Sequence, residues 1–165
     1  MTVYTRMDSS LGELLLVGEL TGDAIALASV SVPRQKGGAT VRPEWVEDAG
    51  AFDGIVAQLR EYFAGTRTRF EVEFAHSGSD FQQRVWQALD EIPYGVTATY
   101  GEIAARAGEP RELVRLVAAA IGANPLLVVR PCHRVIGASG ALTGYSGGLE
   151  RKQRLLELEH VLLPA

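Results

Sequence analysis

The most reactive side-chain type in this 165-residue chain occurs once, as Cys132, followed by His133 and flanked by Arg130 and Arg134. A thiolate is a strong nucleophile. The thiol ordinarily loses its proton near about 8.5, and positive neighbours lower that value. A cysteine, a histidine and two arginines within five residues therefore suit nucleophilic chemistry with an adjacent base. By type alone, a single cysteine is more often a small, inert, buried apolar residue. Neighbours in a strand point to opposite faces, so cooperation of Cys132 with His133 requires a turn, which Pro131 favours. Tyr100, Arg115, Asn124 and Glu159 are further polar candidates. Taken singly, Tyr100 reads as a core tyrosine, and Arg115 and Glu159 as solvated helix residues. His76 and His160 read as structural or surface residues.

The elements that must position these groups fall into two textures. Val3–Met7, Leu11–Glu19 and Ala24–Val32 read as strands separated by glycine-bearing turns. Residues 33–50 read as a loop. Phe52, Ile55, Val56, Leu59, Tyr62 and Phe63 recur at helical steps up to Gly65, and Phe70–Phe74 alternates like a strand with one exposed face. Residues 75–79 read as a linker between a domain at 1–75 and a second at 80–165. Helices dominate the second. Asp80 and Gln83 have capping-box spacing ahead of Phe81, Val85, Trp86 and Leu89. Tyr100–Ala107 forms a short helix stopped by Gly108. Pro110 suits the first turn of another, whose face is Leu113, Leu116, Val117, Ala120 and Ile121. The two short helices have the form of a helix-turn-helix. Leu126–Val129 reads as extended, a glycine-rich loop spans 137–148, and a closing helix runs from Leu149 to about His160. The class expected is α+β: a small antiparallel sheet with a helix, then a mostly helical, winged-helix-like domain.

Composition bounds the partners. Hydrophobic residues at 47% and charged residues at 22% suit a soluble globular chain with a sizeable core. One cysteine excludes an internal disulfide and zinc sites built on cysteine pairs. The first residues lack the pattern of a signal peptide and no apolar run is long enough for a membrane span, so a cytoplasmic protein without a membrane partner is expected. The net charge of −4 argues weakly against nucleic acid. Residues 99–135 hold Arg106, Arg111, Arg115, Arg130 and Arg134 against Glu102, Glu109 and Glu112, a local balance of +2. On that reading, phosphate contacts come largely from backbone amides and hydroxyls.

The spacing of several motifs is more specific than any of these residues alone. Asn124-Pro125, Pro131-Cys132-His133-Arg134-Val135-Ile136 and Gly144-Tyr145-Ser146-Gly147-Gly148-Leu149, with Pro93-Tyr94-Gly95, Tyr100-Gly101 and Glu159, resemble the O6-alkylguanine-DNA alkyltransferases, or methylated-DNA–protein-cysteine methyltransferases. The resemblance covers 80–160 strongly. It extends more weakly to Asp8–Gly12 and Tyr62–Gly65.

The resemblance implies direct-reversal repair. O6-alkylguanine, and O4-alkylthymine with it, would be flipped out of double-stranded DNA, and the alkyl group would pass irreversibly to Cys132, once per molecule. It implies that His133 takes the thiol proton through a water and that Glu159 orients His133. Tyr100 would donate a proton toward the leaving base, and Asn124 would brace the cysteine loop. Arg115 would enter the stack vacated by the flipped nucleotide, with Thr99, Ala120 and Arg134 also at the DNA. Val135, Ser139, Tyr145 and Ser146 would form the pocket for the base. No cofactor and no metal are implied, and a monomer is expected. The family often has glycine two or three residues after this arginine, where this chain has Val117, Ala118 and Ala119. Alternatives from other classes are a non-enzymatic alkyltransferase-like damage binder, a cysteine hydrolase and a helix-turn-helix regulator.

Overall fold

The computed structural model describes residues 1–161, so the last four residues of the expected 80–165 domain lie outside the described residues. Two compact units are present, one over Met1–His76 and one from Ser77 onward.

The first unit begins with an antiparallel meander of β1 (Thr2–Ser9), β2 (Gly12–Thr21) and β3 (Ala24–Ser31). Alternation sets its faces: Val3, Thr5 and Met7 point inward while Arg6 and Asp8 point out. A short β4 (Val46–Glu47) lies parallel to β1 inside the stretch expected to be loop, giving the order β3-β2-β1-β4. A 3-10 turn at Ala49–Phe52, capped by Asp48, leads into α1 (Asp53–Phe63), which buries Ile55, Leu59 and Tyr62. The expected strand at Phe70–Phe74 does not form. The Gln58 side chain donates to Glu71 O (3.0 Å) and accepts from Glu71 N (2.8 Å), meeting the backbone's needs without a neighbouring strand. Only a bridge of Phe74 to Leu27 remains.

In the second unit, α2 (Asp80–Asp90) starts one residue earlier than the spacing suggested. Ser79 is the cap and Gln82 closes the capping box, leaving Asp80 in the first turn, where its charge suits the helix N-terminus. Next come β5 (Ala98–Thr99) and α3 (Tyr100–Arg106), the latter capped by Thr99 with Glu102. Gly108 (φ 76°) turns the chain. Pro110 lies just before a 3-10 turn at Arg111–Leu113, which runs on into α4 (Val114–Gly122). Together α3 and α4 form a helix-turn-helix arrangement. Val117, Ala120 and Ile121 are buried, but Leu116, expected on the same face, is 57% exposed. β6 (Val135–Ile136) pairs parallel to β5, and α5 (Leu149–Leu158) closes the unit. The class is α+β, as expected.

Leu126–Val129 is not extended. It is a compact double turn with Val128 at φ 71°, in which Val129 N donates to Leu127 O and Arg130 N to Leu126 O. Asn124 imposes it. Its amide Nδ2 donates to Leu126 O (3.4 Å) and Arg130 O (3.3 Å), while its Oδ1 accepts from Leu126 N (3.0 Å).

Candidate active site

The turn that Asn124 braces delivers Pro131 into a single 3-10 turn, Cys132–Arg134. Three residues per turn send successive side chains in three directions, so Cys132, His133 and Arg134 face different surroundings. The register of β5 against β6, with Ala98 opposite Val135 and Thr99 opposite Ile136, brings the start of α3 alongside this turn.

His133 points inward and is fully buried. Its Nε2 lies 2.7 Å from Glu159 Oε2 at the C-terminal end of α5. Arg134 grips the same carboxylate, with Nε donating to Oε1 (2.7 Å) and Nη2 to Oε2 (3.0 Å), while its Nη1 donates to Ile92 O. Burial alone would raise the Glu159 carboxyl, but hydrogen bonds from His133 and Arg134 bring it down to about 2. Glu159 is therefore an anion that accepts from Nε2–H, and the imidazole's lone pair lies on Nδ1. Nδ1 is buried and has no hydrogen-bond partner among the described residues. Burial lowers the pKa of His133 against the pull of Glu159, so the ring stays neutral.

Cys132 is 5% exposed and lines a cavity of about 420 Å³. Tyr100, Thr143, Gly144 and Tyr145 form part of the wall, and Val114, Arg115, Ala118, Ile121 and Gly122 of α4 form the rest. Burial pushes the thiol up to about 11; a hydrogen bond from Asn124 and the charges of Lys152 and Arg130 act in the opposite direction. Ionising this thiol requires a base and positive surroundings. Tyr100 presents its hydroxyl at the wall and donates to Thr143 O (2.7 Å). Gly144 (φ 55°) passes so close that a Cβ there would lie 3.6 Å from that hydroxyl.

This geometry agrees with what the chain resembles. Residues 80–161 match the family described as "6-O-methylguanine DNA methyltransferase, DNA binding domain", and residues 2–76 match "6-O-methylguanine DNA methyltransferase, ribonuclease-like domain". The chain is 49% identical over 165 residues to a methylated-DNA–protein-cysteine methyltransferase of Mycobacterium tuberculosis (strain H37Rv), covering all of this chain and 96% of that one. The chain belongs to the 6-O-methylguanine DNA methyltransferase family. A protein of the same name from Methanosarcina acetivorans is 45% identical over 156 residues, covering 94% of this chain and 97% of its own. The crystal structure of Mycobacterium tuberculosis OGT in complex with DNA superposes with a TM-score of 0.87 at 49% identity, covering 96% of this chain and 93% of that one.

Within this methyltransferase-family fold, the expected site residues separate. Cys132, Tyr100, Arg115 and Tyr145 share the cavity; His133, Glu159 and Asn124 stand behind it, holding the cysteine turn. Three residues expected at the DNA also have partners within the fold. The guanidinium of Arg134 is buried on Glu159 and Ile92 O, so its charge serves the carboxylate. Ala120 is buried, and its carbonyl accepts from Trp86 Nε1 (2.9 Å). The Thr99 hydroxyl accepts from Glu102 N as a helix cap. Three expected pocket residues also lie outside the lining. Val135 is fully buried with its N–H donated to Cys132 O, Ser146 donates to Gly122 O (2.6 Å), and Ser139 is exposed on its loop. Ala118 belongs to the wall itself.

Sequence reasoning missed Lys152. It is fully buried, and its ammonium donates to Thr143 O (2.9 Å) and Gly144 O (3.1 Å). The signal was available: Lys152, Leu155, Leu156 and Glu159 recur at helical spacing, placing a lysine within the buried stripe of α5. Among the described residues, no group of three or more His, Cys, Asp or Glu could hold a metal ion, and no helix is long and apolar enough to cross a membrane.

Proposed function

We infer that this protein repairs alkylated DNA directly, moving the alkyl group from O6 of guanine, and from O4 of thymine, onto Cys132. The observation that carries the reading is the thiol of Cys132 in a cavity walled by Tyr100 and by Arg115 of α4, backed by the His133–Glu159 pair. A guanine in a duplex cannot bring its O6 substituent to a buried sulfur, so the nucleotide must leave the stack, at a cost of roughly a few kcal/mol. Arg115 is exposed on α4 and lines the cavity. Its planar guanidinium can fill and hydrogen-bond the vacated space.

The chemistry follows from the proton acceptors. Nδ1 of His133 carries a lone pair and takes the thiol proton through a water, while the anion of Glu159 stabilises the imidazolium that forms. The Cys132 sulfur attacks the alkyl carbon in line, forming a carbon–sulfur bond as the carbon–oxygen bond breaks. Tyr100 gives its proton to the departing base, which leaves neutral. The resulting thioether has no good leaving group, so the sulfur is not regenerated and each molecule reacts once. Apart from the bridging water, the chain's own residues supply the groups in this scheme.

The protein acts as a cytoplasmic monomer on double-stranded DNA, with the 1–75 part as a support and the 80–165 part as the acceptor. Intact mass measurement after mixing with an oligonucleotide carrying labelled O6-methylguanine tests the central step. One added methyl per molecule on Cys132 is expected. Several turnovers per protein, or label elsewhere than Cys132, would sink the reading.

A further inference from the structure

Leu116 belongs by spacing to the buried stripe of α4, yet it is 57% exposed. A single exposed leucine is ordinary on a protein surface. The face it belongs to is not. Arg115, Leu116, Ala119 and Gly122 are the exposed residues of α4, and Arg115 is the single charged residue of Val114–Gly122. Other helices of this unit turn polar residues outward, as surface helices do: α2 exposes Asp80, Arg84 and Gln87, and α5 exposes Glu150, Arg154 and Glu157. The apolar face of α4 is held firmly from behind. Val117, Ala120 and Ile121 are buried, Trp86 Nε1 donates to Ala120 O (2.9 Å), and Ser146 Oγ donates to Gly122 O (2.6 Å). The same face runs into the cavity, because Arg115 and Gly122 are exposed and also line it. A base entering toward Cys132 passes that edge, so the duplex it has left lies against α4.

We propose, on the reading that Cys132 takes the alkyl group from a flipped nucleotide, that Leu116 is a second residue of the duplex opening: an apolar wedge that packs on the base pair beside the one Arg115 opens. The partner is double-stranded DNA, and the chemistry of the face selects it. One cation among apolar groups suits a surface that is apolar at the base stack and anionic at its rim. Removing a nucleotide exposes the flat face of its neighbour to water. Proteins that kink DNA cover such steps with leucine and other apolar side chains. A leucine does so without stripping water from any polar group of its own. Ala119, one turn further along α4, carries only a methyl group and lets the helix approach closely. Leu116 is then the apolar side chain that reaches furthest on that side, next to the guanidinium of Arg115.

The test is Leu116→Ala, with Leu116→Met and Leu116→Lys beside it. Alanine suits an exposed helix position, so the fold is kept, and urea midpoints check that. Transfer from an O6-methylguanine duplex should slow about fivefold in Leu116→Ala, the share of a leucine's burial that alanine cannot supply. Transfer from the free alkylated base should be unchanged. Affinity for the same duplex, read by anisotropy, should fall about fivefold at every salt concentration, because an apolar contact releases no counterions. Leu116→Met, of similar volume, should stay within about twofold of the unmutated protein. Leu116→Lys should steepen the salt slope by about one unit without recovering the rate. Unchanged duplex transfer and affinity in Leu116→Ala would overturn the proposal, and a dimer lost in that variant would assign the face to a second copy of the chain instead. Equal losses on duplex and free base would overturn it too, by placing the effect inside the cavity. So would full transfer by Leu116→Lys, which would put the position at phosphates. Failure of the acceptor reading looks different: unmutated protein would take no label on Cys132 from either substrate, while the duplex affinities still report on Leu116.

Discussion

His133, Arg134 and Glu159 form a buried trio in which one carboxylate accepts from a neutral imidazole and a guanidinium. Its pH dependence has a definite sign. Glu159 is held at about 2, below its ordinary 4.5, so the folded state binds fewer protons there than the unfolded chain. That stabilisation is complete above about 4.5 and is lost as pH falls toward 2. His133 is also lowered, from 6.5, so stability begins to fall as pH drops below 6.5 while the unfolded imidazole gains its proton. Urea midpoints should therefore decline in two stages on acidification, and His133→Phe should remove the upper stage. A flat profile between pH 7 and 5 would contradict this account. Glu159→Gln keeps shape but leaves Arg134 without its anion. It should cost about 3 kcal/mol of stability, as for a broken buried pair. Methyl transfer should also slow about a hundredfold, because His133 loses both its fixed tautomer and the charge that stabilises its protonated form.

Between the helices, a few side chains do the positioning. Asn124 ties Leu126 and Arg130 into the double turn that precedes Cys132. Asn124→Ala should leave those groups unpaired in the interior, costing about 2 kcal/mol in urea unfolding, and should slow methyl transfer as well. Ser79→Ala removes only the α2 cap. It should cost about 1 kcal/mol and leave the transfer rate unchanged. Such local signals were legible in the sequence: the alternation of β1, β2 and β3, the helical stripe of α1, and the glycine stops. The contact of His133 with Glu159 was expected only through the resemblance to the alkyltransferases, since Glu159 by itself reads as a solvated helix residue. What escaped was set by distant partners. Gln58 supplies the hydrogen bonds that would otherwise make Phe70–Phe74 a strand. Asn124 folds Leu126–Val129 against its strand-like composition. Arg130 lies over Trp86, with its guanidinium 5.0 Å from the ring centroid, so an arginine counted in the local balance of +2 is interior.

Those buried arginines change the electrostatics of the whole chain. The balance of +2 over residues 99–135 counts Arg130 and Arg134, which are interior and paired. Without them Arg106, Arg111 and Arg115 stand against Glu102, Glu109 and Glu112, a net of zero over that stretch. Lys152 is interior too, which leaves Lys36 as the remaining lysine. With a net charge of −4 overall, the protein cannot rely on a broad basic face to hold DNA. On the proposed reading, binding would instead draw on backbone amides, which contact phosphate without releasing counterions as lysines do, and on Arg115, which lines the cavity. Duplex affinity should therefore depend weakly on salt. Fluorescence anisotropy on an O6-methylguanine duplex should give a slope of log affinity against log salt no steeper than about −3, the value for some three phosphate contacts. A slope twice as steep would mean that cations outside this stretch carry the binding. Arg115→Ala should change that slope by at most about one unit. Its main effect should be on the rate: transfer from duplex DNA should fall at least tenfold, while transfer from the free alkylated base, which needs no flipping, should be unaffected. Equal losses on both substrates would place Arg115 in the chemistry of the cavity rather than in the opening of the duplex.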